Sequence, residues 1–538
     1  MTLPYPLLLL RSTRDVLNLS LKDHVVIIDE AHNLMDAITA IYSSAVSLSQ
    51  LQKARTQLTI YLQKFRNRLK GKNRVYVAQI VRLLDSLIAY LISKSSVENA
   101  VDHIVQVDDL MTGKGVDQIN LFKLTRYLQE SKLARKVDGY ISFEEESQSG
   151  QGKVSNGNQP TRPATVPVLT HIQGFLLALM NPSAEGRFFC EKTEDGRDIS
   201  LRYMLLDPTN HFRDIVEEAR AVVLAGGTMS PMDDYIHHLF SYVPKTLIVT
   251  LSCGHVIPPE NLVAWPVSTG QTSEDFDLTF SKRASKNMMT NVGQALLAFV
   301  CDIPDGVVVF FPSYAYLDSC VKHWKSTMTT DGDSHTSTFW DSMNALKPVF
   351  AESRENPTSG ITKKTDSRNV SSDSLLASYS KRILDSKDHR GALLLSVVNG
   401  SLSEGINFSD RLGRAVIVIG MPFPNPHSAE WKAKMEYIAQ KTQENNRSAN
   451  TSLTEAEKLG KAAAQNFYEN ATMRAVNQAI GRAIRHKNDY AAILLIDKRY
   501  ATERIRTKLP GWIKSSLKKP ESIGDISKGL REFFASKQ

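Results

Sequence analysis

The sequence predicts an α/β fold with parallel sheets, and three observations lead to that prediction. Short apolar runs occupy residues 25–28, 221–224, 307–311, 393–398, 415–419 and 492–496. Helical patterns lie between these runs, and such alternation is typical of parallel strands joined by helices. The 538 residues are also enough for about three domains of roughly 100–200 residues each.

A long helical region follows the first apolar run. From about residue 40 to residue 131, apolar side chains recur at i, i+3 and i+4, which predicts amphipathic helices; examples are Val81, Leu84, Leu87, Ile88 and Leu91. Residues 144–167 are rich in Gly, Ser, Asn and Pro and are expected to form a linker. The sequence therefore predicts a mostly helical insertion after the first strand.

Composition excludes several classes of protein. Hydrophobic residues make up 42% and charged residues 23%, which is ordinary for a folded, soluble chain. We expect neither a signal peptide nor a membrane-spanning helix. Four cysteines without metal-clip spacing predict a reducing, intracellular environment; they are Cys190, Cys253, Cys301 and Cys320.

The positive charge is concentrated in two segments, residues 51–74 and residues 501–538. Lys and Arg exceed Asp and Glu by 65 to 57, for a net charge of +8. In the first segment, Lys64, Arg66, Arg68 and Lys70 are candidates for contacts to DNA phosphates. A solvated helix face is an equally good explanation, because alternate spacing distributes the charges around a helix.

The first apolar run leads into Asp-Glu-Ala-His, so two carboxylates, Asp29 and Glu30, follow a predicted buried strand. One carboxylate can hold Mg²⁺ while its neighbour orients and polarises an attacking water, which is the chemistry of nucleotide hydrolysis. The alternative is an acidic strand end before a helix N-terminus, where carboxylates are favoured anyway.

A second segment, QAIGRAIRH, spaces Gln478, Gly481, Arg482 and Arg485 at i, i+3, i+4 and i+7. This spacing predicts that all four lie on one face of a helix. Gly481 would let a ligand approach, and the arginines would supply charge for a phosphoryl group. A solvated amphipathic helix would explain the arginines but not the glycine.

Two further segments place small residues after predicted strands. One is SVVNGSLSEGINF, with Ser403 and Gly405, and the other is VVLAGGTMS, with Thr228. Glycines and small hydroxyls at the carboxyl end of a strand allow a nucleotide or a nucleic-acid backbone to come close. Each loop alone is also consistent with an ordinary turn between a strand and a helix.

Taken in chain order, these four segments resemble motifs II, III, V and VI of superfamily 2 helicases. The resemblance is to the XPD-like iron–sulphur DNA helicases and, within them, to the chromosome-loss (Chl) branch. The segments similar to that branch are TLPYPLLLLRS, KGKNRVYVAQ, LSEGINFSDRLGR and QAIGRAIRHKNDYAAILLIDKRY. The resemblance extends over nearly the whole chain.

The resemblance implies two RecA-like domains that sandwich ATP, with a helical Arch domain inserted into the first. Residues 1–35 would end the first part of helicase domain 1, and residues 36–200 would be the Arch-like insertion. Residues 201–252 would complete domain 1, and residues 253–538 would form helicase domain 2.

Roles for single residues also follow from the resemblance. Asp29 would coordinate Mg²⁺, Glu30 would activate water, and His32 would couple the site to motif VI. Arg482 and Arg485 would reach the γ-phosphate of ATP. The remaining implied assignments are nucleotide binding for His32, Gly405, Gln478 and Gly481 and DNA binding for Thr228 and Ser403.

The chain departs from the family pattern before the DEAH segment. No G-x-x-x-x-G-K-[ST] loop for phosphate occurs in it, and none of the 28 residues before Asp29 is a cysteine that could bind the family's 4Fe–4S cluster. We therefore expect the C-terminal part of a longer protein, with little ATPase activity alone.

The function implied by the resemblance is that of an ATP-dependent DNA helicase with 5′ to 3′ polarity. It would act in the nucleus, in DNA repair, replication and sister-chromatid cohesion, on single-stranded and forked DNA and with replication or cohesion proteins. One alternative is a non-catalytic fragment that binds DNA or a partner protein. Another is a repair or transcription helicase from a different XPD-like branch.

Overall fold

The structure is a computed structural model, and the ranges that it describes are interrupted at several places. The described residues are 1–69, 71–95, 103–113, 115–149, 167–181, 185–192, 198–254, 257–328, 337–353, 372–386, 389–402, 408–447, 452–482 and 484–537. Three residues to which we assign functions, Lys70, Ser403 and Gly405, lie outside them.

The strands of these residues are β1 (Val25–Ile28), β2 (Ser44–Ser47), β3 (His103–Val105), β4 (Gly186–Lys192), β5 (Ile199–Leu205), β6 (Ala221–Leu224), β7 (Leu262–Val267), β8 (Gly306–Phe311), β9 (Val349–Ala351), β10 (Ala392–Val397), β11 (Ala415–Ile419) and β12 (Ala491–Ile496). The α-helices are α1 (Tyr5–Leu9), α2 (Arg11–Val16), α3 (Leu34–Tyr42), α4 (Leu48–Lys64), α5 (Gly71–Ser95), α6 (Val107–Leu110), α7 (Leu121–Ser131), α8 (Leu133–Ser149), α9 (Val168–Ala178), α10 (Thr209–Glu218), α11 (Asp233–Leu239), α12 (Lys286–Val300), α13 (Tyr314–Ser326), α14 (Phe339–Leu346), α15 (Ser372–Leu384), α16 (Ala429–Arg447), α17 (Leu453–Ile480), α18 (Glu503–Arg506), α19 (Gly511–Ser516) and α20 (Ile523–Ala535).

The largest sheet is parallel throughout and has the strand order β7-β12-β11-β8-β10-β9. Its central strands are buried on both faces because helices cover each side. Val307 and Val309 of β8 pack with α12, α13 and α20, whereas Val308 and Phe310 pack with α15, α17 and α19. The predicted α/β class with parallel sheets is confirmed.

A second, two-stranded sheet pairs β1 with β6 in parallel, with Val25 opposite Ala221. The two strands are neighbours although the whole region of α3 to α10 separates them in sequence. One face of this sheet is covered, since Val26 and Ile28 are buried. The other face is open, because Val25 and Ile27 are 53% and 70% exposed.

The region between β1 and β6 is mostly helical, as predicted, but it also contains an antiparallel sheet of order β2-β5-β4-β3. No local pattern in the sequence predicted this sheet. Its strand β5, Ile199–Leu205, crosses the boundary that we place after residue 200. The domain limits at residues 35, 200 and 252 stay predictions.

The helix α5, Gly71–Ser95, is long and apolar enough to span a membrane by length and composition, contrary to our expectation that no such segment exists. Buried core helices pass the same test. Six apolar side chains of α5 are buried within the protein, as expected for a core helix: Val77, Ile80, Leu83, Leu84, Leu87 and Leu91.

The basic segment does not form a continuous helix face. Helix α4 ends at Lys64 and α5 begins at Gly71, so Arg66 and Arg68 lie in the connection between two helices. Lys64, Arg66 and Arg68 are exposed there. Their charges are therefore gathered at one end of a helical hairpin rather than distributed around a helix, and a role in DNA binding stays a prediction.

Candidate functional site

The DEAH segment forms a tight turn at the carboxyl end of β1. Glu30 has a left-handed backbone (φ 49°), and its amide donates a hydrogen bond to Asp29 Oδ1 at 2.9 Å. The turn is attached to the end of β6, because the Ala31 amide donates to the Ala225 carbonyl at 2.9 Å. Both carboxylates are exposed, so the turn presents two acidic side chains to a ligand.

His32 connects this turn to the end of α17. Its Nε2 lies 3.4 Å from Gln478 Nε2, and its Nδ1 lies 3.2 Å from Glu30 Oε2. Burial lowers the pKa of His32, and the nearby Arg482 charge lowers it further, although Glu30 opposes both. The imidazole is therefore neutral near pH 7, and Arg482 is close enough to influence it.

Gly481 brings the same end of α17 against the loop after β6. A Cβ atom at this position would be 3.2 Å from Thr228 Cγ2 and 3.2 Å from the Asn477 carbonyl oxygen, which is tight contact. The Asn477 side chain also donates to the Ser230 carbonyl at 3.2 Å. The DEAH turn, the Thr228 loop and the QAIGRAIRH segment thus meet at one place.

The prediction that Gln478, Gly481, Arg482 and Arg485 share one helical face is wrong. Helix α17 ends at Ile480, and Gly481 is its C-cap, so only Gln478 lies within the helix. Arg482 is buried and Arg485 is exposed beyond the end of the helix. Gly481 therefore needs no explanation as a mid-helix residue, because it occupies the cap and a close contact.

A cavity of about 190 Å³ opens beside His32, Thr228 and Gln478. Further residues that line the cavity were not identified from the sequence, and they are Asp36, Asn399, Trp431, Lys434, Phe467 and Arg474. Aromatic and basic side chains on α16 and α17 thus line the same cavity as His32 of the DEAH turn. They come from a part of the chain with no recognisable motif, so only the fold could reveal them.

A buried ion pair joins α11 to α17 next to this cavity. Asp234 is 5% exposed and accepts hydrogen bonds from Asn470 Nδ2 at 2.8 Å and from Arg474. No local sequence pattern could predict this pair, because the partners are 236 and 240 residues apart. It fixes α17 to the segment that follows β6.

Two families of known domains match the chain. The helicase C-terminal domain family matches residues 296–516, and the DEAD_2 family matches residues 1–51. The ATP-dependent DNA helicase chl1 of Aspergillus clavatus is 52% identical over 539 residues, which cover 100% of this chain and 70% of the relative. The chain belongs to the Chl1 family of ATP-dependent DNA helicases.

Other Chl1 relatives agree. The protein of Aspergillus niger is 54% identical over 541 residues, and that of Schizosaccharomyces pombe is 41% identical over 554 residues; each alignment covers 100% of this chain. The chain spans 58% of the Aspergillus niger relative and 60% of the Schizosaccharomyces pombe relative.

Solved XPD structures share the fold. The S. tokodaii Xpd4 structure superposes with a TM-score of 0.51 at 17% identity and covers 96% of this chain and 81% of its own. A structure titled XPD_APO has a TM-score of 0.50 at 16% identity, with coverage of 96% and 81%. These similarities support the RecA-like domains that the resemblance to helicases implied.

The described residues suit Mg²⁺ but do not suit an iron–sulphur cluster. Asp29 and Glu30 offer exposed carboxylate oxygens, which suit Mg²⁺ bound together with phosphate. The four cysteines do not fit an iron–sulphur cluster, since Cys190 and Cys320 are buried apart in β4 and α13, while Cys253 and Cys301 are exposed elsewhere.

Among the described residues, one group of His and carboxylate side chains has ligand atoms close to one another. It consists of Asp410, His486 and Asp489. These groups already have partners, since His486 Nε2 lies 2.9 Å from Asp410 Oδ1 and Arg414 donates to Asp489 at 2.9 Å. The group is therefore explained without a metal ion.

Proposed function

We propose that this chain forms part of an ATP-dependent DNA helicase in which ATP hydrolysis drives movement along single-stranded DNA. One observation carries the proposal: His32 of the DEAH turn lies 3.4 Å from Gln478 at the end of α17. A change at the DEAH turn would reach α17 and the Thr228 loop directly. The Chl1 relatives are named ATP-dependent DNA helicases, which supports the same activity.

The exposed carboxylates would perform the hydrolytic chemistry. Asp29 would bind Mg²⁺, which supplies charge neutralisation for the phosphates when it is bound with ATP. Glu30, its neighbour in the turn, would orient the attacking water and accept its proton. Arg482 and Arg485 would supply positive charge to the phosphoryl oxygens.

His32 would act by positioning Glu30 and Gln478 relative to each other, and not by supplying positive charge. Because burial lowers the pKa of His32, its ring is neutral at pH 7 and can accept one hydrogen bond and donate another. It would thus link Gln478 with Glu30, whose Oε2 lies 3.2 Å from His32 Nδ1 without a hydrogen bond in this structure. Movement of α17 relative to the DEAH turn would then depend on whether the γ-phosphate of ATP is present.

We extend the proposal to properties that the Chl branch implies. The protein would move 5′ to 3′ on single-stranded and forked DNA, in the nucleus, in DNA repair, replication and sister-chromatid cohesion. Its partners would be replication and cohesion proteins, and its 4Fe–4S cluster would use cysteines other than the four in this chain. The Chl1 relatives support this extension by family membership alone.

A comparison of ATPase rates tests the proposal. We propose that the 538 residues alone hydrolyse ATP poorly, because no P-loop motif occurs in them. A chain extended at its N-terminus by a P-loop segment should show ATPase activity that single-stranded DNA stimulates. In that extended chain, Glu30→Gln should abolish turnover while ATP still binds, since the amide cannot accept the proton of water.

Two outcomes would contradict parts of this proposal. ATPase activity of the 538 residues equal to that of the extended chain would contradict the inactivity of this chain alone. An extended chain without DNA-stimulated ATPase activity would contradict the helicase itself and favour a non-catalytic fragment that binds DNA or a partner protein.

A further inference from the structure

Glu352 is a buried carboxylate that no sequence motif indicates. It follows the edge strand β9 and is 3% exposed. Its amide donates to the Leu395 carbonyl at 2.9 Å. Its Oε2 accepts hydrogen bonds from Ser396 Oγ at 2.7 Å and from the Val397 amide at 2.9 Å. Glu352 is therefore fixed to the carboxyl end of β10.

The second carboxylate oxygen of Glu352 holds the loop that follows β10. Oε1 accepts from Ser401 Oγ at 2.8 Å and from the Leu402 amide at 3.1 Å. It also accepts from the Tyr314 hydroxyl at 2.7 Å, at the first residue of α13. One side chain thus joins three parts of helicase domain 2: the end of β10, the loop after it and the start of α13.

The loop is packed directly on this carboxylate. A Cβ atom at Gly400 would be 2.9 Å from Glu352 Oε1 and 2.7 Å from the Tyr314 hydroxyl, so only glycine fits. Asn399, the preceding residue, has a left-handed backbone (φ 59°) and lines the cavity beside Thr228 and Gln478. The geometry of the loop and the exposure of Asn399 to the cavity are therefore linked.

Glu352 is ionised at neutral pH. Burial opposes ionisation, but hydrogen bonds from Tyr314, Ser396 and the backbone outweigh it and hold the pKa of Glu352 below its ordinary value. A carboxylate that accepts five hydrogen bonds has no capacity left to bind an external ligand. Its contribution is to hold its neighbours in place.

We infer that Glu352 is a positioning residue for the loop of residues 399–402, which it holds so that Asn399 faces the cavity next to the DEAH turn. This inference rests on the proposed function, because that cavity lies at the carboxyl ends of parallel strands, where open α/β sheets bind ligands. Loss of the carboxylate would release the loop and lower the affinity for single-stranded DNA.

Glu352→Gln tests the inference, because it keeps the size of the side chain but replaces one acceptor oxygen by an NH₂ group that faces donors. We expect the affinity of the 538-residue chain for a fluorescent oligo(dT) to fall about tenfold. We also expect faster hydrogen exchange at the amides of Val397 and Leu402, the two amides that donate to Glu352.

Asp305→Asn is the matched control. Asp305 is also 3% exposed and accepts from Arg411 at 3.0 and 2.8 Å, but it directly precedes β8 and so lies at the amino ends of the parallel strands, away from the loop that follows β10. The control should lower thermal stability and leave oligo(dT) affinity within about twofold. If Glu352→Gln does not fold, Tyr314→Phe and Ser401→Ala each remove one of its hydrogen bonds and should weaken oligo(dT) binding by a few-fold.

Two results would overturn the inference: unchanged exchange at Val397 and Leu402 in folded Glu352→Gln, or an equal loss of oligo(dT) affinity in Asp305→Asn, which would indicate general destabilisation. In a double-mutant cycle, Tyr314→Phe should make Glu352→Gln less costly, and additive losses would contradict the shared contact. A wild-type chain that does not bind oligo(dT) would instead count against the proposed function, and the exchange measurement would still decide the role of Glu352.

Discussion

At the scale of single residues, the contact between Gly481 and Thr228 joins the segment after β6 to the end of α17. The φ angle of Gly481 is −62°, which any residue adopts, so the close approach of Thr228, rather than backbone conformation, disfavours a larger residue here. Both residues were predicted from the sequence as site residues, but the helical spacing placed Gly481 in the middle of a helix. Helical spacing alone cannot show where a helix stops, because the caps depend on neighbours distant in sequence.

Gly481→Ala should therefore destabilise the protein through this contact. The new methyl group would meet Thr228 Cγ2 at 3.2 Å, and we expect a cost of about 1 kcal/mol in the free energy of unfolding, measured in urea. Thr228→Ser removes that methyl group and keeps the hydroxyl, so the double variant should recover part of the loss. No recovery in the double variant would contradict a role for the Thr228 contact.

His238 gives a second prediction at this scale, on pH. Burial, together with Lys441 and Arg474 and against the effect of Asp234, lowers the pKa of His238 to about 4, and the ring packs edge-on against Phe467. As the pH falls from 7.5 to 5, His238 binds a proton in the unfolded chain but not in the folded chain. The stability that His238 contributes is therefore complete above its ordinary pKa of 6.5 and is lost below it.

His238→Gln should flatten the dependence of stability on pH. We expect the loss between pH 7.5 and pH 5 to shrink by on the order of 1 kcal/mol, measured by urea unfolding at both pH values. His171 of α9 is exposed and is not among the groups that shift the pKa of His238, so His171→Gln is the control with which His238→Gln is compared. A His238→Gln variant as acid-sensitive as the wild type would contradict the prediction.

At the scale of elements, half of the strands were predictable from the sequence, and the position of the charged segment was not. The six apolar runs correspond to β1, β6, β8, β10, β11 and β12. In the last four, the continuous apolar sequence reflects burial on both faces, whereas β1 and β6 are apolar although one face of their sheet is exposed. The antiparallel strands β2 to β5 escaped notice among helical patterns. Likewise, no local pattern indicated that α4 would stop at Lys64 and concentrate Arg66 and Arg68 between two helices.

This hairpin end gives a prediction about DNA. Replacing Lys64, Arg66 and Arg68 by Ala should weaken binding to oligo(dT) and reduce the slope of log affinity against log salt, since fewer counterions are released. Fluorescence anisotropy at several salt concentrations measures both quantities. The control variant replaces Lys132, Arg135 and Lys136 by Ala; these residues are exposed in the same region. An equal loss of affinity in the control would show that the net charge of the region, and not the position of the three residues, determines binding.

At the scale of the whole molecule, the two parallel sheets differ in how well they are covered. In the six-stranded sheet, helices bury both faces. In the β1–β6 sheet, Val25, Ile27 and Val223 are 53%, 70% and 45% exposed on one side. Parallel strands are rarely left open to water, and the apolar run VVII predicted burial on both faces. The prediction of a strand was correct. Its burial, however, depends on which elements pack against the sheet, and a local sequence pattern does not specify these.

The open face makes the chain prone to associate with itself. Exposed contiguous apolar surface favours association, so light scattering after gel filtration should show oligomers that increase with protein concentration. Val25→Thr with Ile27→Thr keeps β-branched side chains suited to strands and should shift the chain towards monomer. Val75→Thr with Ile92→Thr is the matched control on α5, where these residues are 56% and 50% exposed. If both pairs reduce association equally, the sheet face is not the cause, and general surface hydrophobicity explains the behaviour.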